Sequence, residues 1–198
     1  SMPNYGGWET NFVHEYPKPE NITSEQNNYI KNVFDDLYTK AENQNKSIYN
    51  GYPSVIDVPS FLNFILINEL ASNVDAYEFS TFFHKDRNGK LRAGPVWDFN
   101  LTYGNDLFSW GFDRSKINVW QHSYGNMGAK FWKNLFDEPY FKCYLSKRWI
   151  ALTSENNHLS ENNINSIIDS TAELISEAVS RQEKFWCFDI EFYERISL

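Results

Sequence analysis

The fold around the candidate chemistry is decided by residues 73–100, which read NVDAYEFSTFFHKDRNGKLRAGPVWDFN. Most of the apolar residues of this stretch lie in two segments, 77–84 and 91–97, which flank a polar tip. The tip contains Asn88-Gly89, the strongest short-range signal of a β-hairpin, because both central positions of the tight hairpin turn require positive φ. We therefore predict an antiparallel hairpin whose strands cover both segments.

Two acids stand at the ends of this stretch. Asp75 precedes the first predicted strand and Asp98 follows the second. Because an antiparallel pair brings its two outer ends together, we predict that these acids are neighbours in space. Phosphoryl transfer needs such a pair, since one carboxylate takes or orients the proton of the attacking hydroxyl while another holds the metal that neutralises the phosphates.

The segment before this stretch predicts a buried helix. Residues 58–70 are apolar nearly all round, and Pro59 is tolerated because it falls in the first turn. Asn73 follows the end of that helix, where we expect a polar residue to be placed for a purpose. Asn68 and Glu69, on the helix itself, are expected to be structural or solvated.

The rest of the chain predicts helical scaffold. Thr23 and Gln26 fit a capping box that opens a helix of about five turns. Ser160 is expected to cap a further helix, whose apolar stripe from Ile164 to Ala178 is assigned to the core. Between them, aromatic residues suggest two helices that are broken at Glu138-Pro139.

Segment 101–127 predicts a long loop because glycine, asparagine and aspartate recur in it. Long loops in compact domains are usually functional or mobile. Its aromatic side chains either bind a ligand or hold the loop in place, and the second interpretation is favoured. His122 is a candidate ligand, although a lone histidine in a loop is more often solvated. The aromatic residues concerned are Phe108, Trp110, Phe112, Trp120 and Tyr124.

Composition indicates one compact domain over residues 3–198, with Ser1-Met2 interpreted as a cloning remnant, and the predicted helices and hairpin make its class α+β, mostly α-helical. The 198 residues are 41% hydrophobic, and the formal net charge is −8. That charge argues against nucleic-acid binding, because phosphate-rich partners are captured by an excess of Lys and Arg. No apolar run is long enough for a transmembrane segment. Cys143 and Cys187 are expected to be buried free thiols, with a disulfide as the alternative.

The order of these motifs resembles the CotH kinase family, the spore-coat-protein-H-like secreted atypical protein kinases. The similarity extends over residues 20–187 and rests on the helix, the Asn-Val-Asp turn, the hairpin and the Pro-Val-Trp-Asp-Phe-Asn run that ends at Asn100. That family usually shows Asp at the position of Asn100. An amide oxygen also coordinates a hard cation, so the departure is compatible with a metal site.

The resemblance implies a protein-kinase-like C-terminal lobe whose small antiparallel hairpin carries the metal site. It implies ATP with Mg²⁺ or Mn²⁺ as cofactors, a protein substrate with a Ser or Thr acceptor, and an extracellular or cell-envelope location. Asp75 matches the catalytic-loop acid and Asp98 the metal-binding acid. Asn100 is a second metal ligand, and both Asn73 and Asn100 are candidates for cofactor binding.

The N-terminal lobe of such a kinase has no counterpart here. Neither a glycine-rich phosphate loop nor a lysine on an early strand precedes residue 58. We therefore expect that this sequence is the C-terminal part of a longer protein, and that it is inactive by itself.

A binding function is the alternative. Seven Trp, 12 Tyr and 16 Phe are many for this length, and aromatic faces serve glycan or protein adhesion as readily as core packing. Each acid also has a structural interpretation: Asp98 accepts backbone N–H groups in a turn, and Asp75 caps the entry to the hairpin. Acids that face each other across a solvent-accessible cleft favour the enzyme, whereas either acid buried in a turn with its oxygens fully satisfied favours the binding module.

Overall fold

A computed structural model describes residues 12–105, 119–123 and 128–185. The chain divides into two compact units, Ser1–Arg148 and Trp149–Leu198. Helices predominate and one small antiparallel sheet is present, in agreement with the predicted α+β class. In chain order the elements are α1 (Ser24–Glu42), α2 (Tyr52–Val55), α3 (Val58–Leu70), β1 (Phe83–His84), β2 (Arg92–Ala93), a 3-10 turn (Gln121–Ser123), α4 (Lys130–Asp137), α5 (Pro139–Thr153) and α6 (Glu161–Phe185).

Helix α1 begins as the sequence predicts. The Thr23 hydroxyl accepts a hydrogen bond from the Gln26 amide at 3.2 Å, and the Gln26 side chain accepts one from the Thr23 amide at 2.9 Å. This capping box satisfies two of the amide groups that every helix N-terminus leaves without an intrahelical partner. The 19-residue helix buries Phe34, Leu37 and Ala41 on one face.

Helix α3 is the buried helix that the apolar run predicted. It spans 13 residues, and its side chains are buried on most sides, Phe61 and Ile65 completely. The start of the helix is fixed by Asp57, whose carboxylate accepts from the Ser60 amide at 2.9 Å. That N-cap was not predicted from the sequence, although Asp before a Pro-containing first turn is a standard start signal.

Aromatic rings form the core of the first unit. The Trp132 ring on α4 lies against Phe61 and Phe64 of α3, at centroid distances of 5.1 and 5.4 Å. Phe83 of β1 also meets Trp132, at 5.8 Å, and it meets Phe34 of α1 at 5.4 Å. The cluster therefore joins α1, α3, α4 and the hairpin into one body.

The hairpin is shorter than predicted. Its register pairs Phe83 with Ala93 and His84 with Arg92, and the Gly94 amide extends the pairing by donating to the Phe82 carbonyl at 2.9 Å. Residues 77–81, expected to be strand, contain turns and bends instead: the Phe79 amide donates to the Asp75 carbonyl and the Tyr77 amide to the Thr81 hydroxyl, so neither amide joins a ladder. The predicted position of the hairpin is thus confirmed, whereas the predicted length of its strands is wrong.

The hairpin tip also differs from the predicted turn. The Gly89 amide donates to the Asp86 carbonyl at 3.0 Å, so Arg87 and Asn88 occupy the central positions. Of these, Asn88 has a positive φ of 61°, and Gly89 lies outside the positive-φ region. The Asn-Gly pair does mark the turn, but the turn is shifted by one residue relative to the predicted form.

Strand β2 docks on the start of α3. The Arg92 guanidinium donates to the Asp57 carboxylate at 2.8 Å, and the Asp57 amide donates to the Leu91 carbonyl at 2.8 Å. Deeper in, the Ala93 amide donates to the buried Ser60 hydroxyl at 3.3 Å. These bonds attach the hairpin to α3 and thereby set where the chain emerges toward Asp98.

The second unit contains the end of α5, a turn and α6. The Leu159 amide donates to the Leu152 carbonyl at 2.9 Å and closes the turn. Ser160 does precede α6, but its hydroxyl donates to the Asn157 carbonyl rather than accepting from the helix. Ile168 and Leu174 are exposed, so the core assignment of this stripe is wrong: within the described part of this unit, too little chain is present to cover the helix.

The predictions for the cysteines, the loop aromatic residues and a transmembrane segment can be compared with the structure. Cys143 is a free thiol and is exposed, so its predicted burial is wrong, because it faces outward on α5. Cys187 and most loop aromatic residues, Phe108, Trp110, Phe112 and Tyr124, lie outside the described residues. Among the helices that the structure describes, none combines the length and the apolar character needed to cross a membrane.

The break between α4 and α5 is held by a buried carboxylate. Glu138, 2% exposed, stands between the helices as the sequence predicted. One of its oxygens, Oε2, accepts from the Tyr52 hydroxyl at 3.0 Å and from the Phe141 amide at 2.7 Å. Burial, followed by the hydrogen bond to Glu138, raises the pKa of Tyr52, which keeps the hydroxyl protonated as a donor.

We expect Glu138→Ala to lower the free energy of unfolding by about 2 to 4 kcal/mol, because two buried donors lose their acceptor. Glu138→Gln retains one carbonyl oxygen that both donors can share, so it should preserve at least half of that stability. Urea denaturation followed by tryptophan fluorescence measures both variants. Equal losses in the two would mean that the charge of Glu138, and not its acceptor oxygen, stabilises the junction.

Candidate functional site

A chain of buried amide groups connects α3 to Asp75. The Asn68 side chain donates to the Phe64 carbonyl at 2.8 Å, and its oxygen accepts from the Asn73 side chain at 2.9 Å. The Asn73 oxygen in turn accepts from the Asp75 amide at 3.2 Å. Asn73 is 2% exposed, so its side chain is used inside the fold to orient the backbone at Asp75.

Asp75 lies half-buried at the start of a series of turns. The Phe79 amide donates to the Asp75 carbonyl at 2.9 Å, and the Tyr77 amide donates to the Thr81 hydroxyl at 2.9 Å. These bonds hold the segment in a compact form that leads from the end of α3 to β1. The acid is therefore carried on a loop that is anchored at both ends, as binding and catalytic residues often are.

Asp98 is exposed, and its backbone has a positive φ of 61°. Its carboxylate accepts one long hydrogen bond, 3.4 Å, from the Ser80 hydroxyl, and within the described residues it has no other hydrogen-bond donor. Among the described residues, no turn N–H group donates to the Asp98 carboxylate, so the structural interpretation of Asp98 finds no support there. Most of the acceptor capacity of this carboxylate is therefore unused by the part of the chain that the structure describes.

The loop after Asp98 folds back on the end of α3. The Tyr103 amide donates to the Ala71 carbonyl at 2.7 Å, and the Asn105 side chain donates to the Asn100 carbonyl at 2.7 Å. Together with the Ser80 bond to Asp98, these contacts place the two acid-bearing segments, 71–80 and 98–105, side by side. Their proximity comes from these loop contacts and not from a long hairpin.

Backbone strain is concentrated in this region. Six of the eight non-glycine residues with positive φ lie between Ser72 and Tyr103 among the described residues, and Ser80 and Asp98 are two of them. Each such residue costs on the order of 1 kcal/mol or more and persists only when its surroundings enforce it. Strain of this kind clusters at functional sites, so its position here supports a functional loop pair.

The residues beside Asp98 are compatible with a metal ion whose other ligands are waters and nucleotide phosphates. Asn100 has an exposed side chain and follows Asp98 by two positions. Within the described residues no group of three or more His, Cys, Asp or Glu side chains is arranged to hold a metal. One carboxylate and one amide fit Mg²⁺ or Mn²⁺ that is otherwise held by waters and nucleotide phosphates, and do not fit an all-protein cage.

The sequence analysis did not identify Ser80 as a residue of the candidate site, and it wrongly predicted the environment of His122. Ser80 contacts Asp98 although no motif marked it. His122, expected to be solvated, is only 11% exposed in its side chain and stacks on Phe136 with centroids 3.4 Å apart. That prediction is wrong because the 3-10 turn lies against α4. Trp120 also meets Phe136, at 5.4 Å, which supports the interpretation that loop aromatic residues hold the loop in place.

A groove of about 680 Å³ lies elsewhere, between α1, α2 and the hairpin tip. The cations that line it already have partners: Lys40 pairs with Asp36 at 2.6 Å, and Lys85 donates to the Gly89 carbonyl at 2.6 Å. Neither acid of the candidate site lines this groove. The groove therefore adds no basic group to the site at Asp98.

Asn73 and Asn100 provide a matched pair for testing which asparagine is structural. We expect Asn73→Ala to lower the free energy of unfolding by about 1 to 3 kcal/mol, because Asn68 loses its donor and the Asp75 amide loses its acceptor in a buried setting. Asn100→Ala, at an exposed side chain, should change it by less than about 0.5 kcal/mol. Thermal and urea unfolding check both. Equal losses would contradict the assigned difference.

Comparison of the sequence with protein-family models matches residues 4–191 to the family described as CotH kinase protein. Neither the comparison with curated proteins nor that with solved structures found a match. The matched range includes both acids, the hairpin and every helix from α1 to α6. It confirms the resemblance that motif order indicated, and the chain belongs to the CotH kinase family.

Proposed function

We propose that the intact protein is an ATP- and metal-dependent protein kinase that phosphorylates Ser or Thr, and that residues 71–105 carry its catalytic acids. The proposal combines family membership with the position of Asp98. The observation that carries it is an exposed carboxylate, on a strained loop, whose one hydrogen bond within the described residues is the 3.4 Å contact from Ser80. A carboxylate that is exposed and accepts one long hydrogen bond can use its remaining oxygen lone pairs to bind a cation.

Asp98, with Asn100, would hold the metal, which supplies positive charge to neutralise the nucleotide phosphates. The Ser80 hydroxyl occupies one lone pair of Asp98 Oδ2 and orients the carboxylate, leaving its other oxygen for the cation. Asp75 would orient the acceptor hydroxyl and take its proton. Its backbone direction is fixed by the buried Asn73, so positioning does not depend on solvent-exposed contacts.

A binding module remains the second candidate, because large aromatic side chains near Asp98 are exposed. Trp97 is 63% exposed and Tyr103 74% exposed, and Phe79 is also exposed. Such faces stack on sugar rings or pack on a protein partner. Under the kinase proposal the same side chains flank the acceptor segment, so binding alone does not separate the candidates. Transfer of phosphate does.

We expect Asp75→Asn and Asp98→Asn in the intact protein to reduce phosphate transfer from ATP to a Ser/Thr-containing protein at least about a hundredfold. Both acids act chiefly in the transition state, so the melting temperature should stay within a few degrees of the wild-type value. Asp86→Asn, an exposed acid at the hairpin tip, is the control and should retain activity.

The two measurements are made on the same samples, by radiolabel transfer and by thermal unfolding. A wild-type protein that transfers no phosphate, combined with lower stability in both variants, would reject the kinase and leave the binding module. Equal activity of wild type and Asp98→Asn would remove Asp98 from the metal role even if the enzyme is a kinase.

The metal role of Asp98 has a readout that is independent of catalysis. We expect Mn²⁺ with ATP to bind the intact protein, and Asp98→Ala to weaken that binding at least tenfold, because the carboxylate supplies the anionic protein ligand. Asn100→Ala should weaken it less, since a neutral amide is lost. Paramagnetic relaxation of water protons by Mn²⁺ measures both. Identical titrations for wild type and Asp98→Ala would contradict the assignment.

A further inference from the structure

Glu69, in the last turn of α3, has a carboxylate that is almost completely buried. Its side chain is 7% exposed, and both of its oxygens are occupied. Oε1 accepts from the Tyr77 hydroxyl at 2.7 Å and from the His122 amide at 3.0 Å, whereas Oε2 accepts from the Gln121 amide at 2.6 Å. Three donors thus converge on one anion in the interior.

The three donors come from two separate segments of the chain. Tyr77 belongs to the turns that follow Asp75, and it is 2% exposed. The amides of Gln121 and His122 belong to the 3-10 turn, which the chain reaches after the loop that begins at Asp98. Glu69 is therefore a common attachment point for the segment that bears one candidate catalytic acid and the segment downstream of the other.

The hydroxyl of Tyr77 is suited to remain a donor. Burial, followed by the negative charge of Glu69, raises the pKa of Tyr77 well above its ordinary value, so the phenol stays protonated. Its ring is held by Phe64 at 6.1 Å and by Trp132 at 5.3 Å. Because the ring cannot move freely, the bond to Glu69 constrains the backbone around residue 77.

An amide at position 69 would not perform this task equally well. Glutamine offers one acceptor oxygen, and its NH₂ group would face one of the three N–H or O–H donors. A buried carboxylate costs more desolvation free energy than a buried amide, and it is tolerated here because charge-assisted hydrogen bonds satisfy it. His122 Nδ1 lies 3.6 Å from Glu69 Oε1 and has no hydrogen-bond partner among the described residues, so it adds no further hydrogen bond to the carboxylate.

We propose that Glu69 is a positioning residue that ties the Asp75 segment to the 3-10 turn, so that the two segments are ordered together. We call this attachment of the Asp75 segment to the 3-10 turn through Glu69 the tie. The effect of the tie on phosphate transfer rests on the proposed kinase function, whereas the tie itself does not. Glu69 touches neither substrate nor metal in this assignment. It acts through the backbone of Tyr77 and through the amides of Gln121 and His122.

The tie is tested by amide hydrogen exchange on the intact protein, well below the melting temperature of every variant. In Glu69→Gln we expect exchange to rise about tenfold or more at Gln121 and His122, and also at Ala76 and Phe79 in the Asp75 segment. Glu78→Gln, an exposed glutamate close in sequence, is the matched control and should leave both segments unchanged.

Tyr77→Phe separates the two halves of the tie, because it removes the donor of one segment and keeps Glu69. Exchange should rise at Ala76 and Phe79, and it should rise much less at Gln121 and His122. Unchanged exchange in Glu69→Gln, or a rise confined to the 3-10 turn, would overturn the tie. This arm gives an answer whether or not the protein transfers phosphate.

The catalytic consequence is measured separately. In the intact enzyme we expect Glu69→Gln to lower kcat at least tenfold while the KM for ATP changes less than threefold, because Asp75 is displaced and the metal ligands are retained. Raised exchange with unchanged kcat would overturn the positioning role. Absence of transfer in the wild type would reject the proposed kinase function, and with it the catalytic consequence, whereas the exchange result still decides the tie.

Discussion

The packing of the Trp132 ring is the interaction on which the first unit depends, because it is where α3, α4 and the hairpin meet. Its indole contacts rings from three other parts of the chain, and such pairs contribute about 0.5 to 1.5 kcal/mol each beyond the burial of apolar area. Within the described residues the buried indole Nε1 has no hydrogen-bond partner, and a buried donor in that state costs about 1 to 3 kcal/mol. Among the described residues, the rings whose centroids lie within 6 Å of the Trp132 ring are those of Phe61, Phe64, Tyr77, Phe83 and Phe131.

This packing places the candidate site through Tyr77. The ring of Tyr77 is held against Trp132, and its hydroxyl reaches Glu69, so the segment after Asp75 is fixed from both sides. The strained φ of 73° at Tyr77 is maintained by these contacts. A few kilocalories of aromatic packing and buried hydrogen bonding thus hold a backbone conformation that the local sequence would not adopt by itself.

The sequence predicted the helices well because their signals are local. The capping box at Thr23 and the Pro that follows Glu138 act on their own neighbours, and both helix boundaries lie where they indicate. The length of the hairpin could not be predicted, because the turns after Asp75 are accompanied by contacts that are distant in sequence, such as the packing of Tyr77 on Trp132. Likewise, nothing near His122 in the sequence reveals that Phe136 and Glu69 surround it in space.

The polar residues of the candidate site divide by burial, and that division could be seen only in three dimensions. Asn73 and Asn100 are the same residue type, each two positions from a candidate acid, yet one is buried in a chain of amide hydrogen bonds and the other has an exposed side chain. Glu69 and Asp98 divide in the same way: the buried carboxylate accepts three hydrogen bonds from the fold, whereas the exposed one accepts a single 3.4 Å bond within the described residues. Since a carboxylate binds a cation only with oxygens that the fold leaves unused, the proposed metal role falls on the exposed Asp98, which accepts a single 3.4 Å hydrogen bond within the described residues. The buried Glu69, which accepts from three donors, is the acid proposed to hold the loops around it.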